Sequence, residues 1–367
     1  MSQRLLDANQ RLLEATGDPL ERARCLQDRV VLLARLGRAE QAREVLENAL
    51  RELPANVPAA VRLRYDYASA IRMYFAKRFA DARVVMLEVA ERARNDATDL
   101  ALVGECESAL ALFMQREGDV RAAARFARGV LANREATLES RYRAFLALGT
   151  LHQDAYDYEE AARLLREAEG VVRQLGDDIA MSSWLQRSAL THAAHTRQAA
   201  ALGELETRAL NAAVDALQKS IAFASGLPGG PDTTLDHLLL AEMRVLQRRY
   251  GEALALYEAH LPSAEGEGFL HEVTAAEADR GQCLIELGRR EEGLAQLVAA
   301  LKRVDESTPS DVRAIVHANL AAALKIMGRA AEAEQHRVLA GMAWETYAHE
   351  QREARRLLAG DPVETLH

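Results

Sequence analysis

The chain has 367 residues, and 49% of them are hydrophobic, yet only 5% are aromatic, so the apolar content lies mainly in Ala and Leu. This balance favours close helix–helix packing over a sheet core. Acidic residues outnumber basic ones by 55 to 46, which gives a net charge of −9 with both signs interleaved, so nucleic acid binding has no electrostatic support.

The distribution of apolar residues also argues against secretion and membrane insertion. No apolar run approaches the roughly 20 residues that span a bilayer, and residues 1–13 alternate polar and apolar side chains, unlike a secretory signal. Cys25, Cys106 and Cys283 are scattered among Ala and Leu on helical segments. They are typical of reduced core cysteines, and we expect a cytoplasmic protein.

The first predicted element is an N-terminal helix over residues 1–17, with a stripe of Leu residues that ends at Gly17. A second helix is predicted to begin at Asp18-Pro19. Asp is a good N-cap residue, and Pro suits the first helical turn because no amide donor is needed there.

Residues 19–175 are predicted to form four pairs of amphipathic helices. The clearest pair spans 142–175, where Leu148 and Gly149 lie on one face of the first helix and Ala161 and Leu165 lie on the facing side of the second. Small residues at 149 and 161 are expected to let the two backbones approach closely.

One residue in each pair marks the turn between its two helices. These turn residues are Gly37, Lys77, Gly118, Tyr156, Arg248, Gly288 and Gly328, at spacings of 40, 41, 38, 92, 40 and 40. The spacing of 92 predicts a degenerate fifth repeat with an insertion at 176–231, and three further repeats follow at 232–341. All eight prolines are expected at or next to helix ends, and Thr308 is expected to cap the first helix of the eighth pair.

The last predicted segment, 342–367, extends the second helix of the eighth pair. Its helical face contains Trp344, Tyr347, Gln351 and Leu358. A helix that caps the final repeat is one interpretation. A contact in a homodimer, or a docking site for a partner, is the other.

This pattern of large-x2-Leu-Gly-x2-large, a turn and Ala-x3-large-x2-Ala resembles the tetratricopeptide repeat (TPR) superfamily. The resemblance covers nearly the whole chain and implies one all-α, right-handed superhelix of about eight helix-turn-helix repeats. The usual TPR period is about 34 residues, so the helices here are longer. In this respect the chain is similar to the MalT-like and kinesin-light-chain-like branch of the superfamily.

Motifs for catalysis or cofactor binding are absent from the sequence. A zinc-protease helix needs a second His four residues after His271-Glu272, but that position is Ala275. His192 and His195 share a helix face without a third ligand nearby. No phosphate-binding loop and no nucleophile elbow occurs, so we expect no enzyme activity, no cofactor and no metal.

The resemblance to TPR proteins places ligand binding on the first helix of each pair, along a concave groove. The predicted groove residues are Arg64, Tyr67, Ile71, Tyr74, Phe75, Gln115, Arg143, Gln153, Glu242, Gln282, Asn319 and Lys325, with Asp279 at a related position. Aromatic residues are concentrated in the second pair, where they suit a peptide or small ligand. The alternative is that half of them fill the core between repeats.

The most favoured function is a non-catalytic scaffold or adaptor that binds a protein or peptide segment, with a bacterial regulatory or assembly role. The alternative is a ligand-sensing solenoid that acts through a separate output partner. In that case a small molecule is expected near the irregular fifth repeat, close to Trp184, His192 and His195.

Overall fold

The computed structural model describes residues 2–35, 38–54, 56–96, 99–227, 232–267 and 269–359. Within these ranges the chain forms helices and no β-strand. The helices are α1 (Ser2–Ala15), α2 (Pro19–Arg35), α3 (Ala39–Glu52), α4 (Ala59–Phe75), α5 (Phe79–Asp96), α6 (Leu100–Arg116), α7 (Val120–Ala132), α8 (Leu138–Asp154), α9 (Tyr158–Leu175), α10 (Asp178–Ala201), α11 (Thr207–Ser225), α12 (Thr234–Leu246), α13 (Tyr250–Glu267), α14 (Leu270–Glu286), α15 (Arg290–Lys302), α16 (Ser310–Ile326) and α17 (Ala330–Ala359). The predicted turn at Gly37, residues 228–231 of the predicted insertion and the end of the predicted C-terminal segment, 360–367, lie outside the described residues.

After α1, the described helices alternate as first and second members of eight pairs, from α2/α3 to α16/α17. This confirms the predicted all-α fold of about eight helix-turn-helix repeats. The irregular fifth repeat is the pair α10/α11, whose first helix has 24 residues.

In every pair whose turn the structure describes, the turn places one residue in the left-handed region of backbone conformation, as helix C-termini commonly do. Every predicted turn residue that the structure describes has a positive φ: Lys77 61°, Gly118 77°, Tyr156 58°, Arg248 58°, Gly288 86° and Gly328 74°. Gly203, with φ of 74°, has the same role in the fifth pair. It was missed because the repeat pattern is weak there.

Two expectations about helix ends are wrong. Pro262 lies inside α13, where it removes one backbone donor from an exposed part of the helix. Thr308 does not cap α16, because the residue before that helix is Pro309 and the Thr308 hydroxyl bonds instead to Asp305. The start at Asp18 is confirmed, since its carboxylate accepts the Leu20 amide at 3.0 Å.

The structure divides into two compact units. Unit 1 comprises the described residues of 1–148 and 170–175, and unit 2 comprises those of 149–169 and 176–360. In unit 1, Val30, Leu46, Val61 and Tyr65 belong to a core between neighbouring helix pairs. In unit 2, three such cores follow one another along α10 to α16.

Two helices of unit 2 approach each other very closely within the pair α14/α15. A Cβ atom at Gly281 would lie 2.7 Å from the Leu297 Cγ and 3.0 Å from the Gly293 carbonyl oxygen. Gly149, at the equivalent position of α8, has more space, with Leu165 Cγ 3.6 Å away. The helix contact is therefore tight enough to require glycine in the seventh repeat, but not in the fourth.

Candidate functional site

The structure corrects the placement of three predicted groove residues in unit 1. Arg64 and Tyr67 are each 2% exposed, and Ile71 is also buried. Side chains with so little exposed surface pack between helices and offer almost no contact area to a ligand. Tyr74 and Gln115 are half-buried, and Phe75 is 40% exposed, so binding by these three stays a prediction.

Arg64 is buried because it joins three successive first helices through a polar network. Its guanidinium donates two hydrogen bonds to the Asp99 carboxylate, at 2.7 and 2.8 Å, and two to Glu105, at 2.8 and 2.9 Å. Gln27 accepts a further bond from Arg64 at 3.0 Å and donates to Glu105 at 2.7 Å. These hydrogen bonds satisfy the buried guanidinium, so the role of Arg64 is to join α2, α4 and α6.

Tyr67 and Arg143 extend the polar contacts to α8. The Tyr67 hydroxyl is hydrogen-bonded to Arg143, which also forms an ion pair with Glu139. Burial raises the pKa of the Tyr67 hydroxyl well above its ordinary value. The Arg143 side chain is 18% exposed, so most of it is committed to these contacts within unit 1.

Three aromatic residues of the second pair, Tyr74, Phe75 and Phe79, form a cluster with Phe113 of α6. Tyr74 stacks on Phe113 with ring centroids 4.6 Å apart, and it meets Phe75 and Phe79 edge to face. Arg116 covers the Phe79 ring at 4.1 Å. Such geometry stabilises packing between α4, α5 and α6, which favours the core-filling interpretation for most of these rings.

Unit 2 contains a cavity of about 370 Å³. Its lining comes mainly from the first helices of four successive pairs, α10, α12, α14 and α16, with Gln153 from the end of α8 and Tyr257 from α13. The apolar part of the wall consists of Leu190, Ala194, Leu235, Leu238, Leu239, Ala275, Ala276, Pro309, Val312 and Ile315. The polar part consists of Gln153, Arg197, Glu242, Tyr257, His271, Glu272, Asp279 and Asp311. We call this space the unit 2 cavity.

Arg197 is the basic centre of the unit 2 cavity. Its guanidinium donates two hydrogen bonds to the Glu242 carboxylate, both at 2.6 Å, in a bidentate pair. A second carboxylate, that of Asp311, lies 3.7 Å from the same guanidinium. Because Arg197 comes from α10 and Asp311 from α16, this contact brings the fifth and eighth pairs together around the cavity.

Asp279 is the most perturbed acid of the unit 2 cavity. It is 9% exposed, and it accepts hydrogen bonds from Asn319 Nδ2 at 2.7 Å and from the Tyr257 hydroxyl at 3.2 Å. Burial, followed by the nearby Glu242 carboxylate, raises the pKa of Asp279 to about 7. The hydrogen bonds and Arg197 oppose that rise but do not cancel it. An acid with this pKa in a cavity is a candidate binding group.

Of the predicted groove residues in unit 2, Gln153 and Glu242 line the cavity. Asn319 reaches it indirectly by binding Asp279. Gln282 is half-buried and donates to Glu286 at 2.8 Å, whereas Lys325 is exposed at the end of α16. Neither Gln282 nor Lys325 is part of the cavity lining.

The last turns of α17 pack against the turn between α8 and α9. The Arg355 guanidinium donates to the Ala155 carbonyl at 2.7 Å and to the Tyr156 carbonyl at 2.6 Å, while Tyr347 meets Tyr156 edge to face at 5.1 Å. A cation at the C-terminal carbonyls of a helix also interacts favourably with the helix dipole. Since Leu358 is buried as well, the predicted apolar face of α17 is used within unit 2. A helix that only caps the final repeat does not account for this contact with the fourth pair, and a homodimer contact stays a prediction.

The residues expected near a small ligand in the fifth repeat have other contacts. Trp184 donates from Nε1 to the Leu165 carbonyl at 2.8 Å, and His195 stacks on Tyr158 at 4.6 Å. His192 is on the exposed side of α10. None of the three lines the unit 2 cavity, although Leu190, Ala194 and Arg197 of the same helix do.

Metal ligation and membrane insertion have no support in the described residues. No group of three or more His, Cys, Asp or Glu side chains in them has the arrangement of a metal site. Also, none of the helices in these ranges combines the length and the apolar character that crossing a membrane requires.

Comparison with known proteins places the fold among TPR proteins. The structure of a Rap protein complexed with Competence and Sporulation Factor superimposes with a TM-score of 0.60, at 11% identity, over 92% of this chain and 99% of that one. NprR in complex with its cognate peptide NprX gives 0.45, at 10% identity, over 91% of this chain and 82% of that one. A STAND protein with a tetratricopeptide repeat sensor from Pyrococcus horikoshii gives 0.49, at 12% identity, over 98% of this chain and 52% of that one.

Comparison of the sequence with protein families and curated proteins finds no match. No protein-family model matches the chain, and no curated protein matches it. The likeness is therefore one of fold, and the chain has the fold of the TPR superfamily.

Proposed function

We propose that this chain, which has the TPR fold, is a non-catalytic scaffold or adaptor that holds a peptide or protein segment in the unit 2 cavity. The unit 2 cavity is the observation that carries the proposal. Its volume of about 370 Å³ falls near the lower end of the range for ligand pockets, and its lining combines an apolar wall with a few convergent polar groups. This volume suits a few side chains of an extended segment rather than a folded domain.

The polar groups of the cavity suit a peptide backbone. The Thr191 hydroxyl lies 2.6 Å from the Gln153 side-chain oxygen, and this contact holds the Gln153 amide in place beside the cavity. Glu242 and Asp279 supply acceptor oxygens on the neighbouring helices α12 and α14. These groups are held on helices by hydrogen bonds already formed, so binding a segment orders few additional side chains.

The fold comparison supports the proposal at the level of architecture. The Rap protein with a similar fold was crystallised in complex with Competence and Sporulation Factor. A protein of this architecture therefore accommodates a bound factor. The assignment of the binding site to the unit 2 cavity rests on the lining residues of this chain and not on the Rap protein.

A small-molecule sensor is the second candidate function, and the volume of the cavity favours it. A volume of about 370 Å³ is also suitable for a metabolite-sized ligand with an apolar body. Native mass spectrometry of the purified chain separates the two, because a sensor retains a small mass whereas a scaffold retains a peptide or protein.

The experiment that tests the proposal is peptide display against the purified full chain, with two matched variants. Ala275→Trp puts an indole into the cavity wall, whereas Ala216→Trp puts one at a half-buried Ala of α11 that does not line the cavity. We expect peptides selected on the wild type to lose binding to Ala275→Trp and to keep it with Ala216→Trp. Equal binding to all three proteins would contradict the proposal.

A further inference from the structure

The wall of the unit 2 cavity carries more carboxylates than cations. Its acidic residues are Glu242, Glu272, Asp279 and Asp311, against Arg197 as its permanent cation. The whole chain is also acidic, with a net charge of −9. A cleft with an excess of one charge favours ligands of the other sign, because low-dielectric walls strengthen the field inside it.

The charge of Arg197 is already paired with two carboxylates. Its bidentate pair with Glu242 occupies two of its donors, and Asp311 lies 3.7 Å from a third nitrogen. Asp279 is left with two neutral donors, the Asn319 amide and the Tyr257 hydroxyl. Within the described part of the chain, no ion pair is formed by Asp279 or Glu272.

Resting on the proposed function, we propose that the bound segment carries a lysine or arginine side chain whose cation pairs with Asp279 inside the cavity. Apolar side chains on either side of that residue contact the wall formed by Leu235, Leu238, Leu239 and Ile315. A buried carboxylate without a cation is costly, and a ligand cation supplies the missing charge with directed hydrogen bonds.

Binding of a cation is coupled to the protonation of Asp279. The groups that face this carboxyl are Glu242 and Arg197, with Tyr257 and Cys283 close by. Because the pKa of Asp279 is raised to about 7, the free protein holds its proton for much of the time near neutral pH. A ligand cation favours the ionised carboxylate, so the proton passes to solvent on binding. Affinity is therefore expected to fall as the pH is lowered below about 7.

A cation in a peptide can belong to a Lys or Arg side chain or to the free amino terminus. Two peptide libraries distinguish these cases. One random heptapeptide library is blocked at both ends by acetylation and amidation, and the other keeps a free amino terminus. We expect Lys or Arg to be enriched in blocked peptides whose binding is lost in Ala275→Trp. Enrichment only among peptides with a free amino terminus would overturn the side-chain assignment.

The selected peptides are then tested against Asp279→Asn, with Glu258→Gln as a control. Glu258 is an exposed residue of α13 outside the cavity lining, and its substitution likewise replaces one carboxyl group by an amide. We expect Asp279→Asn to weaken a Lys-containing peptide about tenfold or more, and Glu258→Gln to leave its Kd unchanged. A peptide with norleucine in place of Lys should bind the wild type and Asp279→Asn equally.

The outcomes separate this inference from the proposed function. Peptides that bind equally to wild type and Ala275→Trp would contradict both. Peptides that lose binding to Ala275→Trp, but lack Lys or Arg or are insensitive to Asp279→Asn, would overturn only the inference that a ligand cation pairs with Asp279. If Asp279→Asn does not fold, the norleucine peptide on wild-type protein tests the same cation, and undiminished binding would overturn it. Titration calorimetry in two buffers adds a further check, since proton release must accompany binding near pH 7.

Discussion

Replacing Gly281 by Ala tests whether the contact between α14 and α15 is too tight for any side chain at this position. The new Cβ would lie 2.7 Å from Leu297 Cγ and 3.0 Å from the Gly293 carbonyl oxygen. Leu297 is fully buried, and the second atom belongs to the backbone, so neither moves easily. Overpacking of this kind costs about 1–3 kcal/mol. The same substitution gains up to about 1 kcal/mol of helix propensity.

Gly149→Ala is the matched control at the equivalent position of α8. Its Cβ would meet Leu165 Cγ at 3.6 Å, an ordinary contact, so the propensity gain is expected without the clash. The propensity gain cancels in the comparison, and the two variants should differ in free energy of unfolding by the overpacking cost of about 1–3 kcal/mol. Urea unfolding followed by far-UV circular dichroism measures this difference. Equal stabilities, or a more stable Gly281→Ala, would show that α14 and α15 can separate without cost.

Three further predictions concern charged residues. Arg64→Met should lower the free energy of unfolding by about 3–5 kcal/mol because it removes the buried guanidinium that pairs with the Asp99 and Glu105 carboxylates. Arg43→Met, at an exposed helix position with ion pairs, should leave the free energy of unfolding nearly unchanged in the same urea titration. Asp279→Asn should be more stable than the wild type by a margin that grows from pH 5 to pH 8. The reason is that an acid whose pKa is raised on folding destabilises the wild type as the pH rises towards about 7. Thermal melts in which the difference between the two proteins does not depend on pH would contradict this. Arg355→Ala should speed amide exchange in the last turns of α17, whereas Arg356→Ala, which is exposed, should not; equal rates would contradict the role of the two carbonyl bonds.

The helix pairs and their turns were predictable from sequence because each pair repeats the same local requirements. Lys77, Tyr156 and Arg248 were identified as turn residues by their place in the repeat pattern, although none is a glycine, and all three have positive φ. The repeat pattern was informative because the first helix ends in the same backbone conformation in the second to eighth pairs, whose turns the structure describes. Gly203 was not predicted as a turn residue because the neighbouring apolar pattern is irregular.

The candidate site was only partly predictable. Arg64 lies on a first helix, as predicted, but its guanidinium is bound by carboxylates 35 and 41 residues further along the chain. Sequence periodicity gives the face of a helix and does not show which distant side chains a long residue reaches. The same limit explains why Gln153 and Glu242 were predicted but Arg197 and Asp311 were not. Their contact depends on how four helix pairs close around the cavity of unit 2.

The most direct test of the binding site is amide hydrogen exchange of the full chain with and without a peptide selected by display. We predict slower exchange on binding in the segments that line the unit 2 cavity, 187–201, 234–246, 271–283 and 310–318. Protection confined to the aromatic segment 59–79 of unit 1, or unchanged exchange in all four cavity segments while the peptide is bound, would contradict a binding site in unit 2.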